Sequence, residues 1–333
     1  MNDRIRITAA VFVTVCLFLG VQLGALALVE PFHEAGHQAV EDPEDPTNSL
    51  VYFAIILVAT GFMLAAFRYD AQWLVRALIV AVSVMLAWFV FAELVPPVAT
   101  AGGVNLLAAV GALAVGAALL VYPEWYVIDL SGVLMGAGAA GLFGISFGLL
   151  PAILLLAVLA IYDAISVYKT EHMLDLAEGV MDLRIPVVLV VPTTLSYSYL
   201  AAGTAETLED EAKTESESES EPEPEADGGD ATDGDLERDA LFIGLGDAVI
   251  PSILVASAAY FLDTATIDVP MIVLNVPALG AIAGTIAGLL VLMYMVLQGR
   301  AHAGLPLLNG GAIGGYLLAA LASGVSISAA LGF

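Results

Sequence analysis

Two aspartates, Asp163 and Asp247, lie inside apolar stretches that carry no other charge for several residues on either side. A carboxylate at membrane depth is costly, so each aspartate marks a candidate functional site. If the two meet, repulsion between like charges makes them share one proton. Such a pair can hold a water molecule, deprotonate it for attack on a peptide carbonyl and protonate the leaving amine. The same carboxylates could instead relay protons or ions, or act as structural hydrogen-bond partners.

The residues that precede the two aspartates extend this candidate site. Tyr162 comes directly before the first, and Gly244, Leu245 and Gly246 come directly before the second. Glycines this close to a carboxylate leave space for another backbone to approach. We therefore assign these four residues to substrate binding or to shaping of the site.

The composition indicates a membrane protein. Of 333 residues, 60% are hydrophobic and only 13% are charged, which is not typical of a water-soluble domain. The single cysteine, Cys16, excludes internal disulfides and thiolate metal clusters. A net charge of −26 with only 9 Lys and Arg residues leaves no basic patch for nucleic acid. Abundant acidic residues with scarce lysine suggest a halophilic archaeon as the source.

The hydropathy pattern predicts an all-α polytopic membrane protein with nine transmembrane helices, because nine stretches approach or exceed the length of a membrane span. These stretches are 5–29, 50–67, 73–95, 101–121, 126–147, 149–169, 240–262, 271–297 and 308–331. Gly132 and Gly136 in the fifth stretch are spaced for close helix packing. The first stretch also resembles a secretory signal, but its apolar run is longer than a typical signal core.

The basic residues predict the orientation. With nine spans and a cytoplasmic N-terminus, every Lys and Arg falls on or just within the cytoplasmic side, in keeping with the positive-inside rule. These residues are Arg4, Arg6, Arg68, Arg76, Lys169, Arg184, Lys213, Arg238 and Arg300. The C-terminus is then outside, and the chain is a multi-pass protein of the cell membrane.

We divide the chain into three parts: spans one to six at 1–169, a cytoplasmic loop at 170–239, and spans seven to nine at 240–333. The loop contains the run ESESESEPEPEADGGD, which cannot bury a core, so we expect disorder over about 204–239. Before it, 171–182 is a candidate surface helix, and the β-branched stretch 185–191 is a candidate edge strand.

Depth in the membrane supports a meeting of the two aspartates. At about 1.5 Å per helical residue, Asp163 lies roughly 9 Å from the inner end of its span at Lys169. By the same measure, Asp247 lies roughly 10–12 Å from the inner start of its span near Asp239. Antiparallel neighbouring helices can therefore bring the two carboxylates to one level.

The YD pair at Tyr162-Asp163 and the GLGD motif at 244–247, with a long loop between them in a nine-span chain, resemble the presenilin and signal peptide peptidase family of intramembrane aspartyl proteases. The resemblance covers essentially the whole chain in number and order of spans. It implies that Asp163 and Asp247 are the catalytic pair. The orientation inferred from charge is the one expected for presenilins and the reverse of that expected for eukaryotic signal peptide peptidases.

The family also has a Pro-Ala-Leu motif at the start of the ninth span, which shapes the active site. The literal match, Pro277-Ala278-Leu279, lies early in the eighth span and at the wrong depth. The alternative, Ala303-Gly304-Leu305-Pro306, begins the ninth span at the level of the aspartates. We therefore assign Leu305 and Pro306 to the site, although the first two residues of this stretch depart from the motif.

A competing motif is His33-Glu34-Ala35-Gly36-His37, which fits the HExxH pattern of zinc proteases. It falls in the predicted outer loop, beside Pro31 and an acidic stretch that does not favour a stable helix. No third ligand can be singled out, so we predict no metal site there, although adventitious metal binding by His33 and His37 stays open.

The resemblance thus implies an enzyme that hydrolyses peptide bonds within transmembrane segments of other proteins, with no metal or organic cofactor. Its expected partners are substrate helices and the lipid bilayer, not nucleic acid, and any obligate protein partner stays open. A proton-coupled transporter or channel is the alternative from another class, and an HExxH zinc protease is a third. A substrate helix has its carbonyls bonded internally, so it must unwind before attack, and the 185–191 stretch is a candidate to pair with it.

Overall fold

A computed structural model describes residues 3–69, 71–169, 186–193, 197–198, 240–298 and 303–333. The predicted surface helix at 171–182 and the predicted disordered stretch at 204–239 lie outside these residues. So do the side chains of several basic residues used for the orientation, among them Arg184, Lys213, Arg238 and Arg300.

The described residues are mostly helical. The helices are α1 (Asp3–Glu34), α2 (Thr47–Arg68), α3 (Gln72–Leu94), α4 (Leu106–Val121), α5 (Trp125–Ser146), α6 (Leu149–Lys169), α7 (Leu245–Phe261), α8 (Val276–Val296), α9 (Gly304–Ala322) and α10 (Ile327–Ala330). Two antiparallel strand pairs accompany them: β1 (Thr100–Ala101) with β2 (Val104–Asn105), and β3 (Val188–Pro192) with β4 (Ala240–Gly244).

Seven of these helices are long and apolar enough to cross a membrane: α1, α2, α3, α5, α6, α8 and α9. Two more, α4 and α7, lie at the predicted fourth and seventh spans but have only 16 and 17 residues. A helix of that length falls at the short end of what crosses a bilayer. The described part of the chain is therefore a helical, multi-pass membrane protein, and the count of nine spans stays a prediction.

The predicted start of the seventh span is wrong. The hydropathy pattern predicts helix from residue 240, but Ala240–Gly244 is a strand and α7 begins at Leu245. Glycine disfavours helix, and Gly244 is extended, with φ −58° and ψ 130°. Strand β3 supplies the hydrogen-bond partners that an extended chain needs where water is scarce. The helical rise used to place Asp247 therefore does not apply to these five residues.

Other element boundaries differ from the predicted spans for local reasons. Gly102 and Gly103 have positive φ and form the β1–β2 turn, so α4 begins only after Asn105, whose side chain caps it. Gly324, with φ +82°, ends α9 early. By contrast, α1 continues beyond the predicted end of its span to Glu34 and includes the first two of the five HEAGH residues.

Strand β3 confirms the predicted strand over 188–191, whereas residues 186 and 187 form a turn and residue 185 lies outside the described residues. Its partner is β4, with Val188 opposite Gly244 and Pro192 opposite Ala240. Because β4 runs directly into α7, the strand pair fixes where that helix begins.

Helix α7 occupies the centre of the bundle. Every residue from Pro251 to Ala259 is buried, and α1, α5, α6, α8 and α9 all contact it. Glycine and alanine dominate the buried faces of α5, where Gly144 lies so close to α7 that a Cβ there would overlap the Cβ of Ala256. Such close approach of small residues is the usual way in which helices associate in lipid.

Helices α8 and α9 pack along a seam of glycines. Gly280, Gly284 and Gly288 on α8 face Gly311 and Gly315 on α9. A Cβ at Gly284 would overlap the carbonyl oxygen of Gly311, and one at Gly315 would overlap that of Gly280. The two backbones are therefore in direct contact, and α8 determines where α9 lies.

Candidate active site

Asp163 projects from α6 toward the start of α9. Its side chain is buried, at 6% exposure, and its Oδ2 accepts a hydrogen bond from the backbone N–H of Leu305 at 3.0 Å. The first N–H groups of a helix have no acceptor within the helix. The α9 N-cap residue, Ala303, offers no side-chain acceptor either, so Asp163 supplies one from another helix.

Asp247 lies in the first turn of α7 and is half-buried. Its carboxylate faces Gly304, where a Cβ would lie 3.2 Å from Asp247 Oδ2. It also lies beside Gly244, where a Cβ would be 3.5 Å from the same oxygen.

The two carboxylates therefore converge on consecutive residues, because Asp163 binds Leu305 and Asp247 faces Gly304. Consecutive Cα atoms are only about 3.8 Å apart, so α6, α7 and α9 meet at this point. Two carboxylates this close to one short segment can hold one proton and one water molecule between them.

The predicted flanking residues precede the two aspartates directly in the chain. Tyr162 is half-buried and its ring contacts that of Phe53 on α2 edge-on, with centroids 5.8 Å apart. Gly244 and Gly246 are exposed. A Cβ at Gly246 would meet only Ile250 within 4 Å, so space beside Asp247 is open to another chain.

Leu305 and Pro306 lie in the first turn of α9, where proline removes no helical hydrogen bond. The literal Pro277-Ala278-Leu279 match is an ordinary helix start, because the Asn275 side chain caps α8 by accepting from the Ala278 N–H at 2.9 Å. Leu292, further along α8, lies beside Gly304. Fourteen residues of helix, or about 21 Å, separate Ala278 from that contact.

Two polar residues near the site are absent from the sequence prediction. Asn309 on α9 is fully buried and donates from Nδ2 to the Leu156 carbonyl on α6 at 2.9 Å, so it ties the helix of Asp163 to that of Leu305. The presence of a single amide side chain in an otherwise apolar span could have indicated that Asn309 bonds a neighbouring helix. Asp129 on α5 is also buried and accepts from the Val190 N–H at 2.7 Å. Its position near the end of its span makes it look like an ordinary interfacial acid.

The two histidines of the HEAGH motif contact different helices, and both contacts lie far from Asp247. His33 is bonded to the Tyr260 hydroxyl on α7, while His37 contacts Glu93 on α3, 3.2 Å apart. Gly36, with φ +73°, ends the helical path between the two histidines. Within the described residues, no three His, Cys, Asp or Glu side chains group in a way that could hold a metal.

A bundle of membrane-spanning helices that brings two aspartates to the start of a third helix has the architecture of an intramembrane aspartyl protease. The comparisons assign the family. Residues 15–325 match the model described as "Signal-peptide peptidase, presenilin aspartyl protease", so the chain belongs to the signal peptide peptidase and presenilin family of aspartyl proteases. It is an intramembrane aspartyl protease, a peptide hydrolase whose substrates are membrane proteins.

Two solved structures are similar over nearly the whole chain. One is a presenilin family intramembrane aspartate protease in space group C222, with 32% identity, a TM-score of 0.63, and coverage of 94% of this chain and 99% of that one. The other, in space group P2, has 32% identity, a TM-score of 0.58, and coverage of 92% and 96%. No curated protein matches the chain to a significant degree.

Proposed function

We propose that Asp163 and Asp247 are the catalytic pair of this protease. The observation that carries the proposal is the convergence of both carboxylates on Gly304 and Leu305.

In the proposed reaction the ionised aspartate takes a proton from a bound water, whose oxygen attacks the carbonyl carbon of the scissile peptide bond. The protonated aspartate gives its proton to the carbonyl oxygen, which yields a tetrahedral diol. When the C–N bond breaks, the diol returns one proton through the pair to the leaving amine. The products are a carboxylic acid and an amine, and the pair regains its single proton.

The substrate helix must unwind before this attack, because its carbonyls are bonded within the helix. We assign its unwound backbone to the exposed glycines Gly244 and Gly246 and to the Leu305-Pro306 turn. Tyr162 and Leu245 flank the two aspartates and shape the space that the substrate enters. The candidate strand at 185–191 is already paired with β4 on one side.

The finer topology belongs to the same proposal: nine spans, a cytoplasmic N-terminus, an outer C-terminus, and a site that faces the cytoplasm of a cell membrane. The distribution of basic residues supports it. Cysteines introduced singly at Ser218 and Ser323 in a Cys16→Ser background should react with an impermeant maleimide from opposite sides. Labelling of both from one side would refute the count of nine spans.

The catalytic assignment is tested by cleavage of a single-span model substrate in liposomes at high salt. The wild type is compared with Asp163→Ala, Asp247→Ala and Glu34→Ala, each with and without a chelator. We expect both aspartate variants to be inactive, and Glu34→Ala and the chelator to change little. Full activity in either aspartate variant would refute the pair, and loss with chelator would redirect attention to the HEAGH motif. Proton flux without cleavage would indicate a transporter.

A further inference from the structure

A third buried carboxylate, Asp129, lies outside the pair. It projects from the first turns of α5, is 5% exposed, and its Oδ1 accepts a hydrogen bond from the Val190 N–H at 2.7 Å. Burying a carboxylate within a protein is costly unless it is hydrogen-bonded. The proposed reaction does not use Asp129, so its role lies in what it holds.

Asp129 holds the side of β3 that β4 does not bind. In an antiparallel pair, residues alternate between bonding the partner strand and pointing away from it. The Leu245 N–H bonds the Val187 carbonyl at 2.7 Å, so positions 187, 189 and 191 face β4. The N–H of Val190 therefore points away from β4, and Asp129 is its acceptor.

The middle of β3 is enclosed. Leu189, Val190 and Val191 are at most 1% exposed, so no water can replace Asp129 at the Val190 N–H. A buried backbone N–H without an acceptor has lost its hydrogen bonds to water and gained none in return, which is destabilising. Loss of the Asp129 acceptor is therefore expected to shift the strand rather than leave it unchanged.

A shift of β3 would displace Asp247, because only β4 and two residues of α7 lie between them. Strand β4 is paired with β3 along its whole length and leads directly into Leu245, two residues before Asp247. The same face of α5 also contacts both ends of this path. A Cβ at Gly132 would lie 3.2 Å from the Leu189 side chain, and one at Gly136 would lie 3.2 Å from that of Leu245.

We propose that Asp129 is a positioning residue, which acts through β3 and β4 to set the position of Asp247 relative to Asp163. This inference rests on the proposed catalytic pair. It requires a hydrogen-bond acceptor at residue 129 and does not require a negative charge there.

The test compares kcat and KM for the model substrate in Asp129→Leu, Asp129→Asn and the wild type. Leucine keeps the branched shape of the side chain in a larger volume and removes the acceptor, whereas asparagine keeps an acceptor oxygen at nearly unchanged volume. Misplacement of a catalytic group by about 1 Å can cost about 100-fold. We expect Asp129→Leu to lower kcat by about 10- to 100-fold with KM within about threefold, and Asp129→Asn to stay within about threefold of wild-type kcat.

Ser257→Ala is the matched control for general loss of stability. It removes another buried hydrogen bond of α7, from Ser257 Oγ to the Phe147 carbonyl at 2.8 Å, in the half of the helix away from Asp247. Its kcat should stay within about twofold of wild type. If Asp129→Leu is not recovered folded, Gly132→Val, which pushes Leu189 from the same side, should give the same selective loss of kcat.

Three results would overturn the inference: wild-type kcat in Asp129→Leu, equal losses in Asp129→Asn and Asp129→Leu, or an equal loss in Ser257→Ala. If Gly132→Val is used instead, a wild-type kcat in that variant would also overturn the inference. Asp247→Asn is assayed in parallel. Cleavage by Asp247→Asn would refute the proposed catalytic pair itself, whereas an inactive Asp247→Asn beside a fully active Asp129→Leu would refute only the role of Asp129.

Discussion

The carboxylate of Asp163 and the backbone N–H of Leu305 are joined by a 3.0 Å hydrogen bond between α6 and the first turn of α9. Helix N-termini carry unpaired N–H groups and a partial positive charge, and both attract a carboxylate. Asp163 is thus the acceptor that α9 lacks locally, in addition to its proposed catalytic role. The bond also fixes the orientation of the Asp163 carboxylate toward the segment that Asp247 faces.

Leu305→Pro tests this bond, because it deletes the N–H at a helix position where proline is tolerated. Leu305→Ala is the control, since it shortens the side chain and keeps the N–H. We expect the proline variant to lose at least about 10-fold more kcat than the alanine variant, in line with loss of a single hydrogen bond that orients a catalytic group. Equal activity of the two variants would show that the N–H has no role in cleavage.

Gly304 tests how closely α9 approaches Asp247. A Cβ at this position would lie 3.2 Å from Asp247 Oδ2 and 3.4 Å from Leu292, which a small shift of flexible side chains can relieve. Gly304→Ala should therefore keep kcat within about fivefold of wild type. The extra methyl groups of Gly304→Val should fill the space between the carboxylates and lower kcat by about 100-fold or more. Comparable activity of the two variants would contradict this packing.

The glycine seam between α8 and α9 predicts a large effect on stability. Gly284→Leu must separate two backbones that are in contact, since even a Cβ there would overlap the Gly311 carbonyl. We expect the free energy of unfolding in detergent to fall by at least about 2 kcal/mol. Gly310→Ala is the matched control on α9, because nothing lies within 4 Å of its added Cβ. It should be neutral or stabilising by up to about 1 kcal/mol.

Much of this arrangement could be predicted from the sequence because membrane spans are long and their charges are few. Counting residues from the span ends that carry basic side chains places three features at one depth: Asp163, Asp247 and the Ala303–Pro306 stretch. The structure brings Gly304 and Leu305 to the two carboxylates, as that count suggests, although residues 240–244 are strand and not helix. The residue count still places them together because Asp163 lies within a few residues of the C-terminal end of α6 and Asp247 within a few residues of the N-terminal end of α7.

Contacts between distant segments could not be predicted in the same way. The bond between Asp129 and Val190 joins residues 61 apart in sequence, and neither residue type indicates the other. The strand at Ala240–Gly244 depends on pairing with β3, which is separated from it in sequence by the whole acidic loop. Similarly, His33 and His37 contact different helices, through Tyr260 and Glu93, because Gly36 ends the helix between them. The HExxH pattern predicts neither of these contacts.

His33 and His37 stabilise helix ends away from the candidate active site. His33 is bonded to Tyr260 at the C-terminal end of α7 and His37 to Glu93, so each helps to hold a helix end and neither lies near the aspartates. We expect His33→Ala combined with His37→Ala to lower the unfolding temperature and to keep kcat within about twofold of wild type. Each lost hydrogen bond should cost about 0.5–1.5 kcal/mol. Added zinc should leave the activity and unfolding temperature of the wild type unchanged, whereas stabilisation by zinc that the double variant lacks would show that the motif binds metal.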